Sequence, residues 1–370
     1  MGESEHGPVA NAVYIPQRVF TESNVGVDGY WGTLMSQWNK FRLAIARRGL
    51  VELHKKLVLT YDNTKMCDGV GAQLQRIYGI YSISRLLGAS YLHTPVGRVD
   101  YQGMSALENN ALDPSFHHEF NKLFHIQSDV MPATDFHKIE LRDLSMKTVH
   151  RLVAMFDRNE TGGRPILVQL LFPYQIADRF PDCYEVCKEM SPFVSPVREG
   201  RVLRVAVQVR WGDYLVQWQE RLLPNSYYIN VVQNVARILE GLKIDYQMEL
   251  HTEVPKKEFT VQDGHKGLSK PQSVPALVNP GTYRLDEFDV LPNLVHRINK
   301  PTMDSLRYQA TADILITSKS SFGYLAGVLN RGGTVLYHPF WHRPLSSWIT
   351  VGSNGKFNRS KFVKAVTAKS

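Results

Sequence analysis

The sequence predicts an α/β protein with two parallel sheets of the Rossmann type, one in each half of the chain. Short β-rich runs such as 56–61 and 203–209 alternate with segments whose apolar residues recur every three or four positions, as on one face of a helix. At 370 residues, the chain is long enough for two domains with a core each. Because ligands bind beyond the carboxyl ends of the strands in open parallel sheets, we expect the functional site there.

The first half follows the order strand, glycine loop, helix and strand, which opens a parallel sheet. Its expected strands lie at 56–61, 90–93 and 166–172. Its expected helices lie at 36–50, 73–88, 114–123, 145–156 and 175–190. The segment between 97 and 157 is rich in histidine, and outside these helices its pattern is irregular.

In the second half, strands and helices alternate more regularly. The expected strands lie at 203–209, 246–250, 293–298, 314–316 and 333–337. The expected helices lie at 228–242, 302–311 and 322–329. A stretch with two Ser-Pro pairs at 191–196 is typical of a linker. We therefore expect an N-terminal domain over 1–195, a C-terminal domain over 196–345 and a tail over 346–370 that can return to the first domain.

The composition is that of an ordinary globular protein, with 43% hydrophobic and 21% charged residues. A net charge of +8 and a pI near 9.2 suit an anionic ligand. The basic residues are dispersed, however, so we expect no nucleic-acid partner. No apolar run is long enough to span a bilayer, and the chain as given is expected to be cytoplasmic. A lumenal catalytic domain freed of its membrane anchor is the alternative.

Residues that usually bind metals do not form a recognisable motif. Cys67, Cys183 and Cys187 match no zinc spacing, and the histidines of the middle segment lack an acid at ligand spacing. We therefore expect no metal site.

A strand, a serine-rich turn and a helix follow one another between 314 and 329. This pattern presents unpaired backbone N–H groups to an anion, because the first turn of a helix has donors without internal partners. Ser320 and Ser321 can cap the helix or donate to a phosphate oxygen. For two serines taken alone, a cap without a ligand is the more common explanation.

Three further stretches with ligand-binding chemistry fall at strand ends. Arg210 follows the strand 203–209 and can grip a diphosphate in two places, although pairing with Asp213 is about as common. Glu253 follows another strand and can accept hydrogen bonds from a ribose or a base, or it is a solvated loop acid. The loop at 68–76 has glycines that let a ligand approach the backbone, but it matches neither a dinucleotide fingerprint nor a Walker loop.

Together these stretches resemble motifs of the inverting fucosyltransferase superfamily. Its members carry a glycine loop before a helix, a strand that ends in His-x-Arg-x-Gly-Asp-Tyr, and a Ser-Ser-Phe-Ser-type turn after an Ala-Asp-Ile strand. The matching segments are Gly69-Val70-Gly71-Ala72-Gln73-Leu74-Gln75-Arg76, Gln208-Val209-Arg210-Trp211-Gly212-Asp213-Tyr214, and Ala312-Asp313-Ile314 with Ser320-Ser321-Phe322-Gly323. The resemblance covers roughly 56 to 337 and implies two Rossmann-like domains that face each other across a cleft, the GT-B arrangement.

The resemblance implies a glycosyltransferase that moves L-fucose from GDP-fucose to a hydroxyl of an oligosaccharide or glycoprotein acceptor. It also implies inversion at the sugar carbon, without a metal or another cofactor, because arginine and helix N–H groups then stabilise the leaving diphosphate. The residues expected to bind the nucleotide sugar are Gly69, Gly71, Ala72, Gln73, Arg210, His251, Thr252, Glu253, Asp313, Ser320, Ser321 and Phe322.

Three positions depart from the family pattern. Gln208 stands in place of its histidine, Trp211 in place of the second arginine of some branches, and Gly323 in place of the last serine. The departures leave the phosphate-binding residues intact but open the choice of donor, and another sugar such as xylose from UDP-xylose is the alternative.

Inversion needs one general base that accepts the proton of the acceptor hydroxyl. The expected catalytic residues are Asp68, Arg210 and Asp213. As the base we favour Asp68, because the N-terminal domain usually receives the acceptor in the architecture that the resemblance implies; Asp213, Glu220 and His93 are the other candidates. The alternative of another class is a non-catalytic protein that binds a nucleotide sugar or a carbohydrate and has no working base.

Overall fold

The computed structural model places most of the chain in two parallel sheets. The residues it describes are 52–65, 68–99, 102–103, 113, 115–132, 134–194, 202–212, 221–254, 259–261, 272–274 and 284–368. All of these belong to one compact unit, Leu50–Ser370. The helix expected over 36–50 and the candidate residues Asp213 and Glu220 lie outside the described residues.

The first sheet has four parallel strands in the order β2-β1-β4-β3. These are β1 (Leu57–Tyr61), β2 (Ser90–Tyr91), β3 (His137–Asp143) and β4 (Ile166–Phe172). The helices of this half are α1 (Leu53–Lys56), α2 (Val70–Leu87), α3 (Phe116–Leu123), α4 (Met146–Asp157) and α5 (Tyr174–Ala177), followed by a 3-10 helix over Pro181–Lys188. β1 is buried throughout because strands flank it on both sides.

Three expectations for this half need correction. β3 was not expected, because its sequence HKIELRD is that of a half-exposed edge strand in which charged residues interrupt the apolar ones. The single helix expected over 175–190 is wrong: α5 ends at Ala177 and a 3-10 helix with Pro181 at its start replaces the rest, because proline cannot continue an α-helix. The expected glycine loop is largely helical, since α2 already begins at Val70.

The second sheet has six parallel strands in the order β12-β11-β10-β5-β6-β9. These are β5 (Leu203–Gln208), β6 (Tyr246–Thr252), β9 (Leu294–Ile298), β10 (Ile314–Ile316), β11 (Thr334–Tyr337) and β12 (Ile349–Thr350). A separate antiparallel pair is formed by β7 (Phe259–Val261) and β8 (Gln272–Val274). The helices are α6 (Asn225–Gly241), α7 (Thr302–Ala310), α8 (Ser321–Leu329) and α9 (Arg359–Thr367), with a 3-10 helix over Leu285–Val290.

The core of the second half lies between its sheet and the helices α6 and α9. Val207 of β5 and Val231 of α6 are buried there together with Phe362 of α9. The tail of the chain thus packs on the second sheet through α9, while Ser346 and Ser347 hydrogen-bond to carboxylates of the first half.

The two halves meet where α2 packs against α8. Gly71 lies so close to Phe322 that a Cβ at position 71 would be 2.8 Å from the Phe322 Cα. Further along the junction, the rings of Tyr184 and Tyr324 meet edge to face with centroids 5.7 Å apart. Arg331 adds three hydrogen bonds of 2.8–3.1 Å to carbonyl oxygens at the end of the first half.

The predicted fold class, an α/β protein with two Rossmann-like sheets, is confirmed by this arrangement. The domain boundaries at 195/196 and 345/346 stay predictions. None of the helices in the described part of the chain is long and apolar enough to cross a membrane.

Candidate active site

A cavity of about 1120 Å³ lies where the carboxyl ends of the strands of both sheets meet. Eleven of the residues expected at the site line it, as the strand-end argument predicts. They are Asp68, Gly69, Gly71, Ala72, Arg210, His251, Thr252, Glu253, Ser320, Ser321 and Phe322. The structure therefore brings together residues as far apart in the sequence as Asp68 and Phe322.

The serine-rich turn forms the N-terminus of α8, at the wall of the cavity. The Ser320 hydroxyl accepts a hydrogen bond of 3.2 Å from the backbone N–H of Phe322, so Ser320 is the N-cap. Ser321 is the first residue of the helix and lines the cavity. The positive end of the α8 dipole therefore faces the cavity, which favours an anion at this place.

Gln208 and Gly323, two of the positions that depart from the motifs that the sequence resembles, are in contact with each other. The Gln208 Oε1 accepts hydrogen bonds from the backbone N–H and the hydroxyl of Ser318, at 3.3 and 3.0 Å. A Cβ at position 323 would lie 2.9 Å from the Gln208 Cδ and closer still to its Oε1. The glutamine thus occupies the space that a serine at position 323 would need, and its hydrogen bonds to Ser318 fix the start of the serine-rich turn.

Arg210 and Glu253 lie side by side at the ends of β5 and β6. The Arg210 Nη1 is 3.2 Å from the Glu253 carboxylate, and both side chains are about one-fifth exposed. Two strands that pair in register therefore deliver a cation and an anion to the same wall of the cavity. The pairing with Asp213 that the sequence also allowed falls outside the described residues.

The N-terminus of α2 forms the opposite wall. Gln73 is fully buried there: its amide donates to the carbonyls of Asp68 and Arg98 at 2.8 Å each, and its Oε1 accepts from the N–H of Gly97. Gln73 therefore fixes the backbone of the wall and does not line the cavity. The Asp68 carboxylate forms a buried ion pair with Arg76.

A group of buried polar atoms lacks hydrogen-bond partners among the described residues where β6 and α7 meet the cavity. It comprises both ring nitrogens of His251, the hydroxyl of Thr252 and the Oε1 of Gln309, and each of these residues is at least 94% buried. Burial lowers the pKa of His251 to about 4, so the ring is neutral near pH 7. Its Nε2 is 3.6 Å from Glu249, too far for a hydrogen bond. Buried polar groups of this kind are normally satisfied, which points to a polar ligand here.

At the other end of the cavity lie two carboxylates and a histidine. Burial raises the pKa of Asp143 to about 6, against the opposing effect of hydrogen bonds from the N–H groups of Leu144 and Gln175. His342 follows β11, and its Nδ1 is 3.3 Å from the Asp178 carboxylate. All three side chains line the cavity, so this end carries groups that can accept a proton.

Aromatic side chains cover the rim beside these groups. Phe172 and Tyr174 stack with ring centroids 5.2 Å apart, and the Arg76 guanidinium lies 4.8 Å above the Phe172 ring. Trp341 is 47% exposed and carries Arg221 on its face at 4.2 Å. A half-exposed indole at the mouth of a cavity is a surface on which an apolar sugar face can rest.

Two expected site residues lie away from the cavity. Gln73 serves the backbone as described, and Asp313 precedes β10 at the opposite edge of the second sheet, where its carboxylate accepts the N–H of Arg204 at 2.7 Å. The candidate base His93 does not line the cavity either; burial, with a contribution from His125, lowers its pKa to about 4.

Several lining residues were missed by the sequence analysis. Lys300 follows β9, Asp143 ends β3 and His342 follows β11, so each obeys the strand-end rule. Asp143 was missed together with its strand. The ends of β9 and β11 were predicted at the observed residues, so inspection of the polar positions after β9 would have found Lys300. After β11, the first polar residue is His338, which does not line the cavity, so the rule alone does not single out His342.

Among the described residues, no three His, Cys, Asp or Glu side chains are close enough to hold a metal ion.

Comparison with known proteins gives little. No family model matches the chain, and no curated protein matches it. Among solved structures, the chain is similar to the iron-containing dodecameric glycosyltransferase TibC of enterotoxigenic E. coli, with 8% sequence identity and a TM-score of 0.29. The match covers 76% of this chain but only 59% of TibC, and a likeness of this degree carries no argument about activity.

Proposed function

We propose that this protein is a glycosyltransferase that moves a sugar from a nucleotide sugar to a hydroxyl of a glycan acceptor. The observation that carries the proposal is the order of chemistry along one cavity. Unsatisfied polar groups lie at one end, a cation and a helix N-terminus lie in the middle, and proton acceptors with aromatic rings lie at the other end. A nucleoside, a diphosphate and a sugar follow one another in the same order in a nucleotide sugar.

The diphosphate binds between Arg210 and the N-terminus of α8. The planar guanidinium of Arg210 can donate two parallel hydrogen bonds to phosphate oxygens. Its present partner is Glu253, which the more highly charged diphosphate can replace. The N–H groups of the Ser320–Phe322 turn meet the oxygens from the other side. Both groups stabilise the negative charge that develops on the leaving diphosphate, which is the work a divalent cation does in other transferases.

The nucleoside binds at the end of β6. His251, Thr252 and Gln309 supply a neutral imidazole, a hydroxyl and an amide oxygen, which suit hydrogen bonds to a ribose and a base. The donor that we propose is GDP-fucose, in line with the motif resemblance, with UDP-xylose as the alternative. Transfer proceeds with inversion and without a metal.

A donor screen tests this proposal. The purified protein is incubated with GDP-fucose, UDP-xylose and other nucleotide sugars, over a printed glycan array and in buffer alone, and released nucleotide and transferred sugar are measured. Turnover of one donor supports the proposal, and it should survive excess EDTA. Activity that EDTA abolishes and Mn²⁺ or Mg²⁺ restores contradicts the metal-free mechanism, and nucleotide binding without turnover favours the non-catalytic alternative.

Arg210→Ala tests the diphosphate site separately. It should weaken binding of the nucleoside diphosphate by roughly 1.5–3 kcal/mol, the range for hydrogen bonds to a charged group. The matched control is Arg237→Ala, which removes an exposed arginine of α6 far from the cavity lining. Calorimetry that gives the same affinity for both variants would remove Arg210 from the site.

A further inference from the structure

A histidine–carboxylate pair spans the two halves of the protein at the sugar end of the cavity. His342 comes from the loop after β11 of the second sheet, and Asp178 follows α5 of the first half. The His342 Nδ1 is 3.3 Å from the Asp178 Oδ1. An ionised carboxylate can only accept hydrogen bonds, so Nδ1 carries the proton of the neutral ring and Nε2 carries the lone pair.

The imidazole is held firmly by its surroundings. Its ring packs against Tyr174 and Tyr324, with centroids 4.6 and 5.2 Å away, and its backbone carbonyl accepts a hydrogen bond of 2.7 Å from the Tyr337 hydroxyl. Within the described part of the chain, its Nε2 makes no hydrogen bond, and this atom is not sealed from solvent. Since His342 lines the cavity, the lone pair of Nε2 is available there.

The strand order places His342 on the far side of the diphosphate from the nucleoside. The cavity residues of the second half follow the order of the strands across the sheet. From one side to the other, this order is Lys300 after β9, His251 near the end of β6, Arg210 after β5, the serine turn after β10 and His342 after β11. Neighbouring parallel strands lie about 4.8 Å apart. A base for an inverting displacement has to stand opposite the leaving group. If the donor binds in the proposed order, the acceptor hydroxyl reaches the sugar carbon from this end of the row.

Two other carboxylates that line the cavity, Asp68 and Asp143, are already bound to other partners. Asp68 is buried in its ion pair with Arg76. Asp143 accepts the N–H groups of Leu144 and Gln175 and thereby fixes the start of α5. In contrast, the proton-accepting atom of His342, Nε2, makes no hydrogen bond to a described residue.

We propose that His342 is the general base of the transfer reaction and that Asp178 is the residue that positions it. The assignment rests on the proposed glycosyltransferase function. As the acceptor oxygen forms its bond to the sugar carbon, its proton passes to Nε2 of His342. The bond between that carbon and the diphosphate oxygen breaks, and the nucleoside diphosphate leaves with the electron pair beside Arg210. The imidazolium is stabilised by Asp178 and later releases the proton to water.

His342→Gln tests the base directly, with His338→Gln as the matched control. His338 lies four positions earlier in the same loop, is similarly buried against Tyr227 and does not line the cavity. With the donor and array glycan selected by the screen, His342→Gln should lower kcat by about 10²–10⁴-fold, the usual contribution of general base catalysis. The KM for the donor and the rise in melting temperature with GDP or UDP should stay unchanged, and His338→Gln should keep full activity.

A second pair of measurements separates catalysis from packing. In His342→Ala, added imidazole should restore part of kcat, because a free base can occupy the vacated space. In Asp178→Asn, kcat should fall while the KM for the donor stays unchanged, because the Nδ1–H of His342 loses the carboxylate that orients the ring. The charged and titratable groups around the ring are Asp178, Tyr174, Tyr324 and Tyr337, with Asp143, Asp182 and Arg76 beyond them.

The outcomes separate this assignment from the proposed function. If the wild-type protein turns over no nucleotide sugar, the proposed function fails and the assignment with it. If the wild-type protein is active and His342→Gln keeps kcat within about threefold, the assignment alone is overturned. The positioning role of Asp178 is overturned if Asp178→Asn keeps kcat within about threefold of the wild type.

Discussion

The contact between Gln208 and Gly323 predicts that the effect of one substitution reverses its sign in the background of another. In the wild-type protein, Gly323→Ala places a methyl group 2.9 Å from the Gln208 Cδ. Ordinary contacts begin near 3.4 Å, so the glutamine has to move. Moving the glutamine breaks its two hydrogen bonds to Ser318. Both residues are at least 96% buried, so water cannot easily replace these bonds.

The size of the effect follows from these contacts. Each lost hydrogen bond costs about 0.5–1.5 kcal/mol, so the pair costs roughly 1–3 kcal/mol. Against this, alanine inside a helix is more stable than glycine by about 0.5–1 kcal/mol. We therefore expect Gly323→Ala to lower the free energy of unfolding by roughly 1–2 kcal/mol. In a Gln208→Ala background the three nearest contacts of the methyl group, all with the Gln208 amide, are gone, and the same substitution should stabilise by roughly 0.5 kcal/mol.

The assay is a double-mutant cycle measured by urea unfolding of the wild type, both single variants and the double variant. The coupling energy between positions 208 and 323 should be at least about 1.5 kcal/mol, in the range for residues in direct contact. Gly323→Ala effects that are equal in the two backgrounds would refute the reasoning, as would a stabilising effect in the wild type.

Three further predictions concern stability. Ser320→Ala removes the cap of α8 and should lower the free energy of unfolding by about 0.5–2 kcal/mol, whereas Ser321→Ala should change it little. Thermal unfolding with and without GDP compares the two variants. Equal losses of stability contradict the assignment of Ser320 as the cap. Gly71→Ala should lower the free energy of unfolding by about 1–3 kcal/mol, because its methyl group clashes with Phe322. Gly69→Ala is the control: its methyl group meets nothing within 4 Å, so the free energy of unfolding should change by no more than about 0.5 kcal/mol. Similar melting temperatures for the two variants argue against the clash. Because burial lowers the pKa of His251 to about 4 and an unfolded histidine titrates near 6.5, the unfolded state binds more protons between these values. Stability should therefore fall as pH drops from about 6.5 to about 4, and His251→Gln should flatten this slope in a pH series of melting curves.

Much of the fold was predictable from the sequence because buried parallel strands carry strong local signals. Apolar runs such as Ile166–Phe172 and Ile314–Ile316 were predicted with the observed bounds. The signal fails at the sheet edge: β3 alternates charged and apolar residues and is half exposed, so its sequence does not stand out from a loop. The break within 175–190 depended on Pro181, whose effect competes with a helical apolar pattern on both sides of it.

The candidate site was predictable as far as the strand-end rule was applied. Arg210, the serine turn and the residues at the end of β6 were found because each follows a predicted strand. Asp313 was included for its place in a motif, although it begins its strand and so lies at the wrong edge of the sheet. The pairing of His342 with Asp178 joins positions 164 apart, and no local pattern encodes such a contact.

Because α2 packs against α8, a ligand bound at α8 should also change the local stability of α2. α8 receives the proposed diphosphate at its N-terminus, and the close approach of Gly71 to Phe322 packs its first turn against α2. Local opening of α2 therefore requires α8 to release its neighbour first. A ligand that holds only the tip of α8 will slow amide hydrogen exchange along α2, including turns that no part of the ligand reaches.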